Sequence, residues 1–351
     1  MMTLRNDGFG LTLMQRETSE RAKRVPDIII RMKPPKPSPV FDTYWKFAAE
    51  RQSIFHARVA GKLAPWTDDP VLQEYKFTNA YRASDRVSQY LIRNVIYAGD
   101  PDWKSTLLRI LLFKIFNKES TWELIESQTG SVSAERFSAE HIGRVLDSAL
   151  KNGASIYSGA YIMPSGPIEL RRDRKHRMHL ALLSDIINGH LADRLLAART
   201  MESAYGLLLA IPSFGPFLAF QFLIDLNYSR FLNFSEMDFV VPGPGARDGI
   251  RKCFHDIGDY GEAELIRWVT ERQEMEFSAR GLTFGSLWGR PLQLIDCQNL
   301  FCEVDKYSRV VHPDVKGVTQ RTRIKQRFLP QSQKISPWFP PKWGLNAHIP
   351  S

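Results

Sequence analysis

Residues 205–246 constrain the fold of this 351-residue chain more than any other part of its sequence. They read as an apolar helix, a tight Ile-Pro-Ser-Phe-Gly turn and a second apolar helix, and Asp238 follows 23 residues after Gly215. A glycine at the tip of a helical hairpin leaves N–H groups at the start of the second helix without backbone partners, so they can bind an anion. The stretch therefore predicts two packed helices joined by an anion-binding turn.

The remaining hydrophobic pattern predicts an all-α fold. Apolar residues recur with helical spacing in nine segments. These segments are 41–61, 84–98, 104–117, 120–127, 138–151, 174–188, 190–210, 216–228 and 261–278. Ser84, Ser120 and Ser138 fit helix N-caps. Hardly any segment alternates with the period of two that strands require, so no substantial sheet is expected.

Charge and cysteine content narrow the class of partner and compartment. A net charge of +9 and a pI near 9.4 favour a polyanionic partner, with nucleic acid first among the candidates. Three cysteines argue against a disulfide framework and for a reducing compartment, so a cytoplasmic location is expected. No apolar run approaches the length of a membrane span, and the cysteine spacing matches no zinc motif. We therefore expect no membrane span, no cysteine-based metal site and no cofactor.

The hairpin turn resembles that of the helix-hairpin-helix DNA glycosylases, over roughly residues 140–275. In that superfamily a Leu-Pro-Gly-Val-Gly loop precedes a catalytic aspartate by about the distance seen here. Ser213 stands where the first of those glycines is usual. The resemblance implies that the turn grips the DNA backbone through Ser213, Phe214 and Gly215, that a monovalent or divalent ion can sit under the loop, and that Asp238 is catalytic.

Nearly all of 41–312 resembles a second, helical family, the α-glutamyl/putrescinyl thymine pyrophosphorylases, also described as the helical domain of 5-hydroxymethyl-dU DNA kinases. The segments that carry this resemblance are TDDPVLQEYKFTNAYRASDRVSQYLI (67–92), IYSGAYIMP (156–164), FLAFQFLIDLNYS (217–229), NFSEMDFVVPGPGARDGIRKCF (233–254) and NLFCEVDKYSR (299–309). Membership of that family implies a double-stranded DNA substrate with hypermodified pyrimidines of the kind found in phages.

Together these resemblances predict a two-lobed fold like that of the helix-hairpin-helix DNA glycosylases, with irregular extensions at both ends. The predicted parts are a basic, proline-rich arm (1–39), an N-terminal helical lobe (40–135), a glycosylase-like lobe (136–279) and a basic C-terminal extension (280–351).

The leading functional hypothesis is a monofunctional DNA N-glycosylase that flips a 5-substituted pyrimidine and excises it, leaving an abasic site. Asp238 would stabilise the positive charge that develops on the sugar. Phe217 occupies the place of the lysine with which related enzymes cut the strand. A cap after Ser235 is the structural alternative for Asp238, and Glu236 is interpreted as a solvated neighbour.

Two other functions stay open. One is a transferase that displaces pyrophosphate from an activated thymine methyl group, and the other is a non-catalytic helical module that presents DNA to a kinase. The sequence contains no G-x-x-x-x-G-K-[ST] loop, so we expect no P-loop kinase centre within it.

Polar and aromatic residues elsewhere could complete a DNA site. Edge recognition and stacking of a flipped base need amide, guanidinium and aromatic groups. The candidates for this base pocket are Asn79, Tyr81, Arg82, Arg86, Gln89 and Tyr157. Lys252, Lys306 and Arg309 are further candidates for contact with the DNA backbone.

Overall fold

The computed structural model describes residues 33–159, 163–164, 174–329 and 334–350, and its helices confirm the all-α prediction. The α-helices within these ranges are α1 (Pro39–Val59), α2 (Pro70–Glu74), α3 (Arg86–Tyr90), α4 (Trp103–Phe116), α5 (Glu119–Thr129), α6 (Ala139–Lys151), α7 (Lys175–Asn188), α8 (Leu191–Ala197), α9 (Met201–Leu209), α10 (Pro216–Asn227), α11 (Pro244–Cys253), α12 (Glu262–Glu271), α13 (Gln273–Ala279) and α14 (Leu294–Val311). A π-helical turn, Leu91–Ile96, continues α3. The two glycosylase-like lobes and the domain boundaries stay predictions.

The end of the predicted N-terminal arm is attached to the helical body. Strand β1 (Lys36–Pro37) pairs antiparallel with β2 (Phe254–Asp256), and Lys33 forms an ion pair with Asp256 at 2.6 Å. Ser38 then caps α1 by accepting a hydrogen bond from the Val40 N–H. Residues 1–32 of the arm lie outside the described residues.

Helix boundaries differ from the sequence pattern at several points. Ser138 is the N-cap of α6, as predicted, and its hydroxyl accepts a hydrogen bond from a backbone N–H of the first turn. Ser84 and Ser120 are not caps, because Asp85 precedes α3 and α5 already begins at Glu119. The predicted helices at 190–210 and 261–278 are each broken in two.

Helix α14 lies in the core, whereas an irregular extension is predicted after residue 280. Leu294, Cys297, Phe301 and Val304 are at most 1% exposed. Polar positions of the same helix are buried too, including Asp305 at 2% exposure. The apolar positions recur at intervals of three and four residues, which is the helical pattern, so the sequence does carry a signal for this helix.

Helices α11 and α14 approach each other closely through glycines. A Cβ atom placed on Gly249 would overlap the carbonyl of Phe301, and one on Gly245 would overlap the sulfur of Cys302. A buried ion pair between Lys252 and Asp305, at 3.0 Å, fixes the same two helices. The backbones can therefore be this close only with glycine at these positions.

In the described ranges, no helix is long and apolar enough to cross a membrane.

Replacing Gly249 with alanine tests the α11–α14 contact. We expect the free energy of unfolding to fall by about 3 kcal/mol, because the added methyl group meets backbone that cannot rotate away. Gly206→Ala, within α9, is the matched control, since no atom lies within 4 Å of the position of its Cβ. That variant should be neutral or more stable by about 0.5–1 kcal/mol. Urea unfolding of both variants measures the difference, and equal stability would contradict the close contact.

Candidate nucleic-acid interface

Three of the segments that carry the family resemblance meet on α14, which contains a fourth. The backbone N–H of Arg82 donates to the Asp296 carboxylate at 2.8 Å. Gln221 of α10 lies 3.4 Å from Gln298, and α11 packs on α14 through its glycines. The fold thus brings together parts of the chain that are far apart in sequence.

A buried ion cluster lies where these segments meet. The Arg82 guanidinium donates to Asp225 at 2.7 Å and to the Tyr228 hydroxyl at 3.0 Å. Lys114 Nζ lies 3.1 Å from the second Asp225 oxygen. Burial lowers the pKa of Lys114, and the nearby Asp225 opposes this shift. Asp225 is the anion that compensates two buried cations.

A second group of charges adjoins the first. Glu236 Oε2 lies 3.2 Å from Arg290 Nη2. Burial raises the pKa of Asp296 to about 7, and the charge of Glu236 adds to the increase. Glu236 is 6% exposed, and its Oε1 atom has no hydrogen-bond partner among the described residues. Glu236 is therefore a buried carboxylate with an unused acceptor, and its interpretation as a solvated neighbour is wrong.

Residues 334–350 cover this second group. Lys342 Nζ donates to two backbone carbonyls at the end of α10 and in the following loop. The Trp343 ring centroid lies 4.0 Å from the Arg290 guanidinium carbon and 5.7 Å from the Tyr228 ring, which meets it edge-on. The sequence indicates only a tryptophan- and proline-rich end here, and nothing in its pattern assigns it to a particular surface.

Three residues of the predicted base pocket, Tyr81, Arg82 and Gln89, lie around these charges. The Tyr81 hydroxyl donates to the Arg290 carbonyl at 2.6 Å. Gln89 accepts a hydrogen bond from the Trp338 N–H at 2.7 Å. Tyr81 and Arg82 are 1% and 3% exposed, so their side chains support the cluster and do not line an open pocket.

The other three predicted pocket residues are elsewhere. The Asn79 amide is bonded at both ends, to a guanidinium and to a backbone carbonyl. Arg86 is exposed and forms an ion pair with Glu119. Tyr157 hydrogen-bonds His179 at 2.8 Å. The six residues therefore do not form one pocket, because helical spacing alone does not bring them to a common surface. Tyr161, in the segment next to Tyr157, lies outside the described residues.

Asp238 lies in an exposed turn between α10 and α11. Its backbone carbonyl accepts a hydrogen bond from Arg267 at 2.9 Å. The turn is not the start of a helix, so the alternative of a helix cap does not fit. The neighbouring Glu236, and not Asp238, is the carboxylate that reaches the buried charges.

The predicted hairpin is present as α9, a turn and α10. Ser213 has a φ of 73°, a left-handed conformation that favours glycine and explains the glycine usual at this place. Phe214 is buried, and Gly215 is the exposed N-cap of α10. The Phe217 ring packs against Gly243, the N-cap of α11. A grip on the DNA backbone or a bound ion at this turn stays a prediction.

In the ranges that the structure describes, no group of three or more His, Cys, Asp or Glu side chains is arranged to hold a metal ion.

The three predicted backbone-binding cations all have internal partners. Lys252 is 1% exposed and paired with Asp305, so its predicted contact with DNA is wrong. Lys306 pairs with Glu303 at 2.7 Å. Arg309 pairs with Asp305 and also donates to the Arg323 carbonyl at 2.9 Å. Arg309 thus fixes a neighbouring chain segment and does not project freely into solvent.

That segment, residues 315–328, is a basic strap on the helical core. Thr319 donates its backbone N–H to Asp248 of α11 at 2.8 Å. Phe328 donates its backbone N–H to the Glu74 carbonyl at 2.9 Å. Between these attachments the strap has the exposed basic side chains of Arg321, Arg323 and Lys325, and Lys316 is exposed just before the first attachment. A row of exposed cations on an extended, anchored backbone suits contact with successive phosphates.

Replacing Arg82 with methionine tests the ion cluster. We expect a loss of about 3–5 kcal/mol in the free energy of unfolding, because Asp225 then keeps a buried charge with one partner fewer. Arg86→Met is the matched control, since its exposed ion pair contributes only about 0–1 kcal/mol. Chemical denaturation of the two variants gives the comparison. Similar losses in both would show that the Arg82 cluster contributes no more than a surface pair.

Comparison with known proteins gives one curated relative. The 5-hmdU DNA kinase of Bacillus phage SP10 is 27% identical over 330 residues, which are 86% of this chain and 51% of the relative. The chain thus spans about half the length of that relative. No solved structure matches.

The prediction of a DNA N-glycosylase is wrong, because the relative is named as a kinase, an enzyme that transfers phosphate and does not hydrolyse a glycosidic bond. The alternative of a helical module fits the findings better. A family model described as "5-hmdU DNA kinase, helical domain" matches residues 38–317. This range includes both ion clusters and the helices that build them. The chain belongs to the 5-hmdU DNA kinase helical-domain family.

Proposed function

We propose that this chain binds DNA that contains 5-hydroxymethyl-dU and presents the modified base for phosphorylation. The family supplies the substrate class, since it is described by its 5-hmdU DNA kinases. The observation that carries the proposal is the basic strap, whose backbone is anchored on α11 and α14 of the family core while its cations stay exposed.

The anchoring of the strap favours a role in binding a polyanion over the alternative that the strap is only a solvated tail. A solvated basic segment needs no fixed path, whereas this strap is attached at Thr319, at the Arg323 carbonyl and at Phe328. The attachments use backbone groups or the hydroxyl of Thr319 and leave the intervening cations exposed. Binding then costs less conformational entropy, because the backbone of the strap is already ordered.

The sequence supports a recognition role for this chain. One glycine-rich stretch, Gly243-Pro244-Gly245, could be mistaken for a phosphate-binding loop. It forms the start of α11 and packs on Phe217 and Cys302. Phosphoryl transfer by a P-loop kinase needs a lysine-containing loop of a different pattern. We therefore assign DNA recognition to this chain and phosphoryl transfer to a kinase centre that acts with it.

Neutralising the strap tests the proposal. The variant with Arg321, Arg323 and Lys325 changed to glutamine should bind duplex DNA about 10- to 100-fold more weakly at low salt. It should also show a shallower dependence of log affinity on log salt, by about one unit for each phosphate that the strap no longer neutralises. Fluorescence anisotropy with a labelled duplex across a salt series measures both quantities.

A second triple variant controls for net charge. Lys46, Lys104 and Arg199 are exposed basic residues outside the strap, and their change to glutamine removes the same charge. We expect this variant to keep most of the affinity and the salt slope. Equal effects in both variants would show that net charge, and not the strap, determines binding.

A further inference from the structure

The Trp343 indole fills a site whose other groups suit a planar, polar ring. Its centroid lies 4.0 Å from the Arg290 guanidinium carbon, and the Tyr228 ring meets it edge-on. Guanidinium planes and aromatic rings are the surfaces on which proteins stack unpaired bases. The aromatic ring of the chain itself thus occupies a position that a nucleobase could take.

Hydrogen-bonding groups surround the same position. Glu236 binds Arg290 through one oxygen, and its other oxygen has no partner in the described part of the chain. The Lys342 ammonium group occupies two backbone carbonyls, of Asn227 and Leu232. If the Lys342 and Trp343 side chains moved away, these acceptors would become available beside the guanidinium donors. A 5-hydroxymethyluracil ring has the complementary set, with N3–H and O–H donors and two carbonyl acceptors.

The residues of the proposed site lie within the range matched by the family model, and the residues that cover it do not. Arg290, Tyr228 and Glu236 lie within the matched residues 38–317, whereas Trp343 and Lys342 lie beyond them. The covering loop is also a closed unit, because the Asn346 side chain hydrogen-bonds both the N–H and the carbonyl of Phe339 at 2.8 Å. Phe339 is fully buried against Trp288 and anchors this loop, so opening the site requires the Trp343 side chain to turn out and not the whole loop to leave.

Exposed cations flank the cover. Arg93 donates to the Ser336 carbonyl at 3.3 Å, and Arg230 lies over the Tyr97 ring at 5.5 Å. Tyr97 in turn packs against Trp338 of the covering segment. Within the described ranges, neither arginine has a carboxylate at ion-pair distance, so both can contact phosphates beside an extruded nucleotide.

We propose that Arg290, Tyr228 and Glu236 form a binding site for an extrahelical 5-hydroxymethylpyrimidine base, which Trp343 occupies in the closed state. This inference rests on the proposed function, because the base must arrive in DNA that the chain binds. Arg290 stacks on the ring, and Glu236 accepts a hydrogen bond from N3–H or from the hydroxymethyl group. The site distinguishes modified bases from thymine when that hydroxyl is the donor.

Trp343→Ala in the full chain tests the site. Anisotropy titrations use two duplexes that differ only by one 5-hydroxymethyl-dU in place of dT. We expect the variant to bind the modified duplex about tenfold more tightly than the original chain does, with a much smaller gain for the dT duplex. Adding Glu236→Ala should abolish the preference between the duplexes. Equal gains for both duplexes, or no gain, would overturn the proposal.

Two further variants control for misfolding of the Trp343 variant and for effects of any surface substitution on DNA binding. Lys342→Met removes the ammonium group that holds the cover but keeps the indole. It should therefore also increase the preference for the 5-hydroxymethyl-dU duplex over the dT duplex. This variant replaces Trp343→Ala if the latter does not fold. Leu196→Ala, at a residue that is 48% exposed on α8, should leave the preference unchanged. If no variant binds either duplex, the proposed DNA-binding function fails. If duplexes bind in a salt-dependent way without any preference, only the base site fails.

Discussion

The close approach of α11 to α14 is the contact on which the other features of the structure depend. Gly245 and Gly249 let the two backbones touch, and the Lys252–Asp305 pair fixes them. Because α14 receives hydrogen bonds from the segment containing Arg82 and contacts from α10, its position sets the place of both ion clusters. The strap is attached to the same pair of helices. A shift of α11 away from α14 would therefore disturb both the buried charges and the proposed DNA surface.

Buried charge explains why the sequence assigned several basic residues wrongly. In an amphipathic pattern a lysine or arginine is read as exposed, and near a DNA-binding motif it is read as a phosphate contact. Lys252 and Arg82 are instead buried beside Asp305 and Asp225. A buried cation needs a partner because removing it from water costs several kcal/mol. One signal for such pairs is present in α10, where Gln221 and Asp225 lie four residues apart on an otherwise apolar helix.

The all-α class and the hairpin could be predicted because local spacing determines them. Ser138 and the α9–α10 turn follow from capping and turn chemistry, which depend on neighbouring residues. The apolar spacing of α14 is helical, but the burial of its polar residues could not be predicted, since they find partners in distant segments. For the same reason the group of Arg290, Glu236 and Trp343 could not be predicted, as it joins a loop before α11, a loop before α14 and the C-terminal segment. Tyr81, Arg82 and Gln89, three residues of the base-pocket prediction, lie around these charges as supporting residues, and a role in base binding stays a prediction.

Stability alone does not account for the carboxylate of Glu236. A buried acceptor without a hydrogen bond costs about 1–3 kcal/mol, and an apolar residue of similar size would remove that cost. Arg290 compensates the charge through one oxygen and leaves the other unused among the described residues. Trp343 covers the group but supplies no donor to that oxygen, since the described structure gives Oε1 no partner. A buried carboxylate with an unused oxygen, beneath a cover from outside residues 38–317, is what the proposed base site requires, and packing alone gives no reason for it.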